Sequence, residues 1–269
     1  MTIDTTWHFH QERYVTSPRP AGLLGRTFPS LAFYARAARI VFRSSAMARR
    51  GRYDYRAWAR SSEAIAHALE AVGCRIYAEG LANLEALDRP CVFIGNHMST
   101  LETFVLPAMI VPRAGDFTFV VKRSLTEYPV FKHVMRSRNP IVVDRVNPRD
   151  DLKAVMEQGG ERLAAGYSIA IFPQHTRAVD FDPEQFNSIG IKLAARTGSP
   201  VIPIALQTAA WSHGKLFKDY GQIFPQRPIR FAFGAPFTVS GKGNEEHQRI
   251  IRFIQEHLDR WRQEAESGA

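Results

Sequence analysis

The stretch GNHMSTLE places a histidine, His97, at the end of an apolar run and a carboxylate, Glu102, five residues later. A carboxylate that holds an imidazole in one tautomer and stabilises its charged form makes that imidazole a general base. The same letters also predict a helix start, because Ser99 and Glu102 stand in the Ser-x-x-Glu order of a capping box. A His97–Glu102 contact requires His97 to lie in the turn before the helix, since residues five apart do not share one helical face. We expect a Glu102 that binds His97 to be unable to serve fully as a capping residue.

Other apolar runs also end in residues that can bind an anion. Each run has the composition of a buried strand, and the carboxyl ends of strands in an open α/β sheet border the crevice where ligands bind. Arginine offers a planar pair of donors that suits phosphate. If these ends lie side by side, the sequence predicts a pocket for an anionic substrate beside the histidine. Its candidate residues are Lys122, Arg145, Gln174, His175, Thr176 and Arg177.

Apolar periodicity divides most of the chain into alternating strands and helices. The predicted strands are 74–80, 91–96, 117–122, 140–145, 168–173, 200–206 and 229–234. The predicted helices are 30–49, 56–72, 99–110, 150–165, 186–197 and 244–264. This alternation predicts the α/β fold class, with a single mixed sheet flanked by helices and an N-terminal helical pair. His97 then lies at a strand-to-helix junction.

The net charge of +9 is concentrated near the N-terminus. Residues 1–60 contain 11 Arg and no Lys against three acidic residues, and the remaining chain is close to neutral. From residue 30 to 50 an arginine stripe runs beside an apolar stripe, a pattern typical of a helix in a lipid headgroup layer. The alternative is a helix packed on its own domain with solvated arginines. The arginines are Arg36, Arg39, Arg43 and Arg50, and the apolar residues are Phe33, Ala37, Ile40, Val41 and Ala48.

These patterns predict three segments: an extended arm (1–28), basic amphipathic helices that face a membrane (29–73) and an α/β domain (74–269). The expected partner is an anionic membrane surface and not nucleic acid, because no nucleic-acid-binding motif is present. We find no secretory signal in residues 1–30 and no apolar window of the roughly 18 residues that a membrane span needs. No metal site is predicted, because the chain lacks HExxH or a Cys/His cluster, and His8 and His10 are expected to be solvated.

Taken together, four segments resemble the four sequence blocks of the lysophosphatidic acid acyltransferase superfamily. NHMSTLE is similar to its Asn-His-x4-Asp block, and KRSLTEYPVF (122–131) with VVDR (142–145) is similar to its second block. FPQHTRA (172–178) resembles its Phe-Pro-Glu-Gly-Thr-Arg block, and VIPIAL (201–206) resembles its fourth block. The order and spacing match over roughly residues 74–240, which makes 74–269 an acyltransferase domain by resemblance.

This resemblance implies a catalytic pair in which His97 is the general base and Glu102 orients and charge-stabilises its imidazole. It implies that Arg177, Thr176 and Lys122 hold the acceptor phosphate, and that Ile202 and Pro203 shape the acyl-carrier side. Asn96, Arg145, Gln174 and His175 are further predicted substrate-binding residues. The implied enzyme lies peripherally on the cytoplasmic face of a membrane. It transfers a fatty acyl group from acyl-CoA or acyl carrier protein to a lysophospholipid, foremost 1-acyl-glycerol 3-phosphate, without a metal or organic cofactor.

Departures from the family pattern keep other acceptors open. Glu102 stands where the family usually has Asp, and Gln174 and His175 replace the Glu-Gly of the third block. The alternative acceptors are glycerol 3-phosphate, a lyso-aminolipid and a lipid A precursor. A different class is a non-catalytic lipid-binding protein on the same fold. A serine or cysteine hydrolase is disfavoured, because the chain has no Gly-x-Ser-x-Gly elbow.

Overall fold

The computed structural model describes residues 8–17, 20–214 and 218–267. Within them lie eight strands: β1 (Tyr14–Val15), β2 (Ile76–Glu79), β3 (Val92–Gly95), β4 (Phe117–Lys122), β5 (Ile141–Val143), β6 (Ser168–Ile171), β7 (Val201–Gln207) and β8 (Ile229–Phe233). The helices are α1 (Leu23–Thr27), α2 (Pro29–Arg49), α3 (Tyr55–Glu70), α4 (Leu101–Ala114), α5 (Phe131–Ser137), α6 (Pro148–Ala164), α7 (Ile189–Thr197) and α8 (Asn244–Ser267).

The described strands form one sheet in the order β1-β2-β8-β7-β3-β6-β4-β5. The five strands from β7 to β5 run parallel to one another, and β2 is parallel to β8. The pairs β1–β2 and β7–β8 are antiparallel. The prediction of a single mixed sheet is therefore confirmed. Because β3, β4, β5 and β6 run in one direction, their carboxyl ends meet at one edge, where the site residues were expected.

Helices cover both faces of the sheet, as the alternating side chains of its strands require. From β3, Phe93 joins an apolar core with residues of α2, α3 and α4. Its neighbours Val92 and Ile94 join a second core with residues of α6, α7 and α8. The N-terminal helices thus share a core with the sheet and are packed on it.

The elements that sequence reasoning missed are short. β1 has two residues, α1 has five and α5 has seven. Elements of this length are too brief for a repeating apolar pattern to be read. All seven predicted strands and all six predicted helices are present, with ends that shift by a few residues.

The segment predicted as an extended arm is attached closely to the domain. Phe9 is 2% exposed, β1 pairs with β2, and an Nη2 of Arg113 donates to the carbonyls of Phe9 and Gln11. Residues 1–7 and 18–19 of the predicted arm lie outside the described residues. The described part of this segment is therefore packed on the sheet through the buried Phe9 ring and the β1–β2 pair.

The apolar stripe of α2 lies against its own domain. Phe33 and Ala37 are buried in the core, and Ile40, Val41 and Ala48 are half-buried. Of the two interpretations of this stripe, packing on the domain itself agrees with the burial of Phe33 and Ala37. The prediction that the helix faces a membrane stays a prediction. No helix in the described part of the chain has the length and apolar character required to cross a bilayer.

Candidate active site

The strand before the histidine is fixed to its neighbour by Gly95 and Asn96. A Cβ at Gly95 would lie 2.9 Å from the Ile204 carbonyl oxygen, so only glycine allows this approach of β3 to β7. The Asn96 side chain donates to the Leu206 carbonyl at 2.9 Å and accepts from the Leu206 N–H at 2.8 Å. This buried amide therefore joins two strands, a structural role that its position beside His97 did not reveal. Its predicted role in substrate binding stays a prediction.

His97 and Glu102 are in contact, as their spacing predicted. His97 lies in the turn between β3 and α4, and its Nδ1 is 2.9 Å from Oε1 of Glu102. Glu102 is completely buried at the start of α4. The longer glutamate side chain therefore reaches the imidazole nitrogen from the first turn of the helix.

The same carboxylate also caps the helix start. Its Oε1 accepts from the backbone N–H groups of Met98 at 2.7 Å and Ser99 at 2.9 Å, while Ser99 Oγ accepts from the Leu101 N–H at 3.1 Å. Glu102 thus satisfies backbone donors of this turn while it binds His97, but the reciprocal half of a capping box, from the Glu102 N–H to Ser99 Oγ, is replaced by the bond from Leu101. His97, Met98 and Ser99 belong to one turn, so their donors converge on one oxygen.

Two hydroxyl groups surround the second carboxylate oxygen. Thr208, just beyond β7, donates to Oε2 at 2.6 Å, and Ser99 Oγ lies 3.0 Å from both Oε2 and Thr208 Oγ1. Both residues are buried. Sequence reasoning missed Thr208 because it is 106 positions from Glu102, although β3–β7 pairing would place it near this turn.

These contacts leave one member of the pair charged and the other neutral. Burial alone would raise the pKa of Glu102, but hydrogen bonds from His97, Thr208 and Ser99 lower it below its usual value. Burial lowers the pKa of His97, and the nearby Arg177 and Arg145 add to this effect against the opposing influence of Glu102. At neutral pH the site therefore holds an ionised carboxylate and a neutral imidazole.

A stacked ring and a backbone hydrogen bond also hold the imidazole. Phe172 stacks on it with ring centroids 4.6 Å apart and an interplanar angle of 7°. The His97 N–H donates to Oε1 of Gln174, whose side chain is buried. Since Nδ1 carries the proton that Glu102 accepts, Nε2 is left as an acceptor. No hydrogen bond among the described residues involves this Nε2, and 15% of the His97 side chain is exposed.

The two candidate arginines both lie within electrostatic reach of His97. Arg177 contacts Asp219 at 2.5 Å and donates to the Thr100 hydroxyl. Arg145 has a left-handed backbone (φ 58°), and its guanidinium donates to the His175 carbonyl. Within the described residues, the Arg145 guanidinium makes no direct ion pair, although Asp151 accepts from the Arg145 backbone N–H at 3.0 Å. Asp219 was not predicted, because it follows the last motif in a loop.

The remaining predicted residues divide into two groups. Lys122 at the end of β4, His175 and Thr176 are exposed beside the strand ends, consistent with a surface that a polar headgroup could reach. Pro203 lies in the middle of β7, where its ring packs against Gly234 and Phe253 of α8. It therefore faces the sheet layer opposite His97, and its predicted role in substrate binding stays a prediction. The sequence motif indicated the position of Pro203 along the strand but not the face of the sheet on which its side chain lies.

Other nucleophiles are not available at this site. Ser99 Oγ is fully engaged with Glu102, Thr208 and the Leu101 N–H. Burial raises the pKa of both Cys74 and Cys91 to about 12. The arrangement thus offers a base without a protein nucleophile, which suits activation of a hydroxyl group on a bound substrate.

Comparison with known proteins agrees with this class. Residues 75–207 match the family described as Acyltransferase. Over 189 residues the chain is 31% identical to a 1-acyl-sn-glycerol-3-phosphate acyltransferase of Pseudomonas aeruginosa, an alignment that covers 70% of this chain and 68% of that protein. The chain belongs to the acyltransferase family, in the lysophosphatidic acid acyltransferase superfamily.

Two further relatives carry related names. The chloroplastic 1-acyl-sn-glycerol-3-phosphate acyltransferase BAT2 of Brassica napus is 33% identical over 131 residues, which are 48% of this chain and 36% of that protein. The chain thus aligns with about a third of the plant protein. The crystal structure of the 1-acyl-sn-glycerophosphate acyltransferase PlsC of Thermotoga maritima superposes with a TM-score of 0.62. That match covers 87% of this chain and 94% of PlsC at 18% identity, and it supports the same fold.

Proposed function

We propose that this protein transfers a fatty acyl group from a thioester to the free hydroxyl of 1-acyl-glycerol 3-phosphate, giving phosphatidic acid. The observation that carries the proposal is the neutral His97, held in one tautomer by a buried Glu102, beside Arg145 and Arg177. A base next to two cations fits an acceptor that carries both a hydroxyl and a phosphate. The relatives named above support this acceptor.

The reaction follows from the position of the proton. His97 Nε2 takes the hydroxyl proton of the acceptor while the hydroxyl oxygen attacks the thioester carbonyl carbon. The carbonyl oxygen becomes an oxyanion, and the ionised Glu102 stabilises the imidazolium. When the intermediate collapses, the carbon–sulfur bond breaks and the imidazolium proton passes to the thiolate. Acyl-CoA and acyl carrier protein both supply such a thioester.

Arg145 is the stronger candidate for the first contact with phosphate. Its guanidinium makes no ion pair among the described residues, whereas Arg177 is paired with Asp219. A phosphate at Arg177 would have to displace Asp219 or share the guanidinium with it. Lys122 and Thr176 are exposed nearby on the same edge of the sheet and complete the proposed phosphate surface.

We also propose that the outer face of α2 contacts an anionic membrane surface. Leu31, Ala35, Ala38 and Phe42 follow the i, i+4, i+7, i+11 spacing of one helical face, and all four are exposed. Leu31 is 66% and Phe42 61% exposed. The exposed Arg36, Arg39 and Arg43 flank this stripe, so apolar insertion and attraction to anionic lipid would act together.

The activity is tested by measuring thiol release from palmitoyl-CoA and from palmitoyl carrier protein, with 1-oleoyl-glycerol 3-phosphate in anionic vesicles. Wild type is expected to release thiol only with acceptor present. His97→Ala should lose roughly 10²–10⁴-fold in rate, the usual contribution of a general base. His133→Ala, which changes a histidine of α5 outside both histidine–glutamate clusters, is the matched control. Glycerol 3-phosphate and a lyso-aminolipid, run in parallel, identify an alternative acceptor. Absence of thioester consumption with every acceptor would overturn the proposal.

Membrane contact is tested separately by sedimentation with vesicles. Phe42→Asp and Leu31→Asp should reduce binding to anionic vesicles, because each places a negative charge on the proposed contact face. Val15→Asp changes an exposed apolar residue outside α1 and α2 and should leave binding unchanged. Equal binding of all three variants and wild type would show that α2 does not contact lipid.

A further inference from the structure

A second cluster of imidazoles and carboxylate lies where the N-terminal segment crosses the end of α3. His8 Nε2 is 3.1 Å from Oε2 of Glu70, and His67 Nδ1 is 3.5 Å from the same oxygen. The rings of His8 and His67 have centroids 4.1 Å apart. One ligand atom from each of the three residues lies within 4.8 Å of the other two.

These separations suit a transition-metal ion. Zn²⁺ with bonds of about 2.0–2.1 Å in tetrahedral geometry holds its ligand atoms about 3.3 Å from one another. The two measured nitrogen–oxygen distances fall on either side of this value. Two imidazole nitrogens and one carboxylate oxygen form a donor set that suits zinc, copper, iron or nickel rather than magnesium.

Hydroxyl groups donate to the Glu70 oxygen that does not face the imidazoles, as outer-shell partners of metal ligands do. Thr16 Oγ1 donates to Oε1 of Glu70 at 2.6 Å, and the Tyr14 hydroxyl donates to the same oxygen. Oε2 is thereby left facing the two imidazoles. The Tyr14 hydroxyl also lies beside His8 Nε2, a contact that a bound ion would replace.

The cluster opens onto a cavity that is separate from the active site. The cavity has a volume of about 1420 Å³, and its lining includes His8, His67 and Glu70 but not His97 or Glu102. An ion could therefore exchange with solvent without passing the proposed acyl-transfer site. His67 and Glu70 share one face of α3 at i, i+3, whereas His8 comes from a segment 59 residues earlier in the chain.

We propose that His8, His67 and Glu70 bind a divalent first-row transition-metal ion that fastens residues 8–17 to α3. The proposal revises the expectation that His8 is a solvated residue and that the protein has no metal site. Because the two ligands on α3 are distant from His8 in sequence, no local motif reveals the set. The proposal is independent of acyl transfer.

The test is isothermal titration of the untagged, chelator-treated full-length protein with ZnCl₂, supported by the visible absorption of bound Co²⁺. Wild type should bind about one Zn²⁺ per chain, and Mg²⁺ should not bind at the site. His67→Ala and Glu70→Gln should each weaken Zn²⁺ binding by at least about 10-fold, since even outer-shell changes cost 10–100-fold in metal affinity. His133→Ala removes a histidine of α5, outside the cluster, and should bind as wild type does.

Thermal unfolding gives a second readout that does not depend on activity. Zn²⁺ should raise the melting temperature of wild type and of His133→Ala, because a ligand that binds only the folded state stabilises it. It should not raise the melting temperature of His67→Ala, whose side chain is 55% exposed and whose loss is compatible with folding. Failure of wild type to bind Zn²⁺, or equal affinity in wild type and both cluster variants, would show that the cluster is only a hydrogen-bonded latch.

Discussion

The His97–Glu102 pair and the cluster of His8, His67 and Glu70 use the same chemistry and differ in the charge of a histidine. In each, a glutamate accepts from imidazole and hydroxyl groups, and in each hydrogen bonding lowers the glutamate pKa despite the opposing effect of burial. The histidines respond in opposite directions. Burial lowers the pKa of His97, whereas the hydrogen bond to Glu70 raises the pKa of His67.

The surroundings of each pair account for this difference. His97 is enclosed by Phe172 and the sheet, and its cationic neighbours Arg177 and Arg145 disfavour an imidazolium. The His67 side chain is 55% exposed, so little desolvation opposes the attraction of Glu70. A histidine beside a glutamate therefore does not by itself make a general base. Burial and neighbouring charge decide whether the imidazole is neutral and able to accept a proton.

Exchanging each glutamate for its amide tests this contrast with the largest expected effect. Glu102→Gln removes the charge that stabilises the imidazolium. In wild type the surrounding groups donate to the carboxylate, so the N–H groups of the new amide would face donors and lack acceptors. We expect kcat/KM to fall by roughly 10²–10⁴-fold, the range of a lost general base. Glu70→Gln should leave kcat/KM within about threefold of wild type. The measurement is steady-state thiol release, with circular dichroism as the control for folding. Similar losses in both variants would mean that the clusters are not functionally distinct.

The contrast also shows what sequence reasoning could reach. The strands of the central sheet are apolar runs with clear ends, so β3, β4, β6 and β7 were predicted nearly to their observed limits. The His97–Glu102 contact was predictable because both residues belong to one turn. Thr208, Asp219 and Phe172 reach the site from other strand ends and a loop. Their contacts depend on tertiary packing that local spacing does not encode.

The contacts that sequence patterns left open have a common physical origin. Asn96 and Pro203 belong to motifs near the site, but the Asn96 amide binds the backbone of β7 and the Pro203 ring lies on the α8 side of the sheet. The apolar stripe of α2 was compatible with lipid or with a core, and the core buries Phe33 and Ala37. In each case the residue type indicated that the position is polar or buried. The contact partner of the side chain depends on which face of the sheet, or which helix, lies beside it in the fold.

Removing the Thr208 hydroxyl should have a smaller effect on the buried pair. Thr208→Val keeps the side-chain shape but deletes a donor to the Glu102 charge, a bond worth about 1.5–3 kcal/mol of stability. With one donor fewer, Glu102 attracts the His97 proton more strongly, so the acid limb of kcat/KM should move to higher pH. Chemical denaturation and the pH profile measure the two effects.

Thr118→Val is the matched control for this substitution. Thr118 is equally buried, and its hydroxyl donates to the Arg138 carbonyl away from His97. It should cost stability without moving the pH profile. If both variants leave the profile unchanged, Thr208 has a structural role only.

The smallest expected effect is a displacement of the two histidine titrations in wild type. Because the pKa of His97 is lowered, its imidazole stays unprotonated below the ordinary histidine value of 6.5, and the acid limb of kcat/KM should lie below pH 6.5. His67 should titrate above pH 6.5. NMR of the His67 ring protons in metal-free protein measures this titration.

The two pKa shifts change the stability of the fold with pH in opposite directions. The lowered pKa of His97 destabilises the fold as pH falls below 6.5, because the unfolded chain then binds more protons. The raised pKa of His67 stabilises the fold at low pH, and this stabilisation is lost as pH rises through the folded-state pKa. Arg145→Gln separates the causes, because it removes one cation near His97 and should raise the His97 titration midpoint while leaving that of His67 unchanged. A His97 midpoint at or above 6.5 in wild type would mean that Glu102, and not burial, determines the charge of the imidazole.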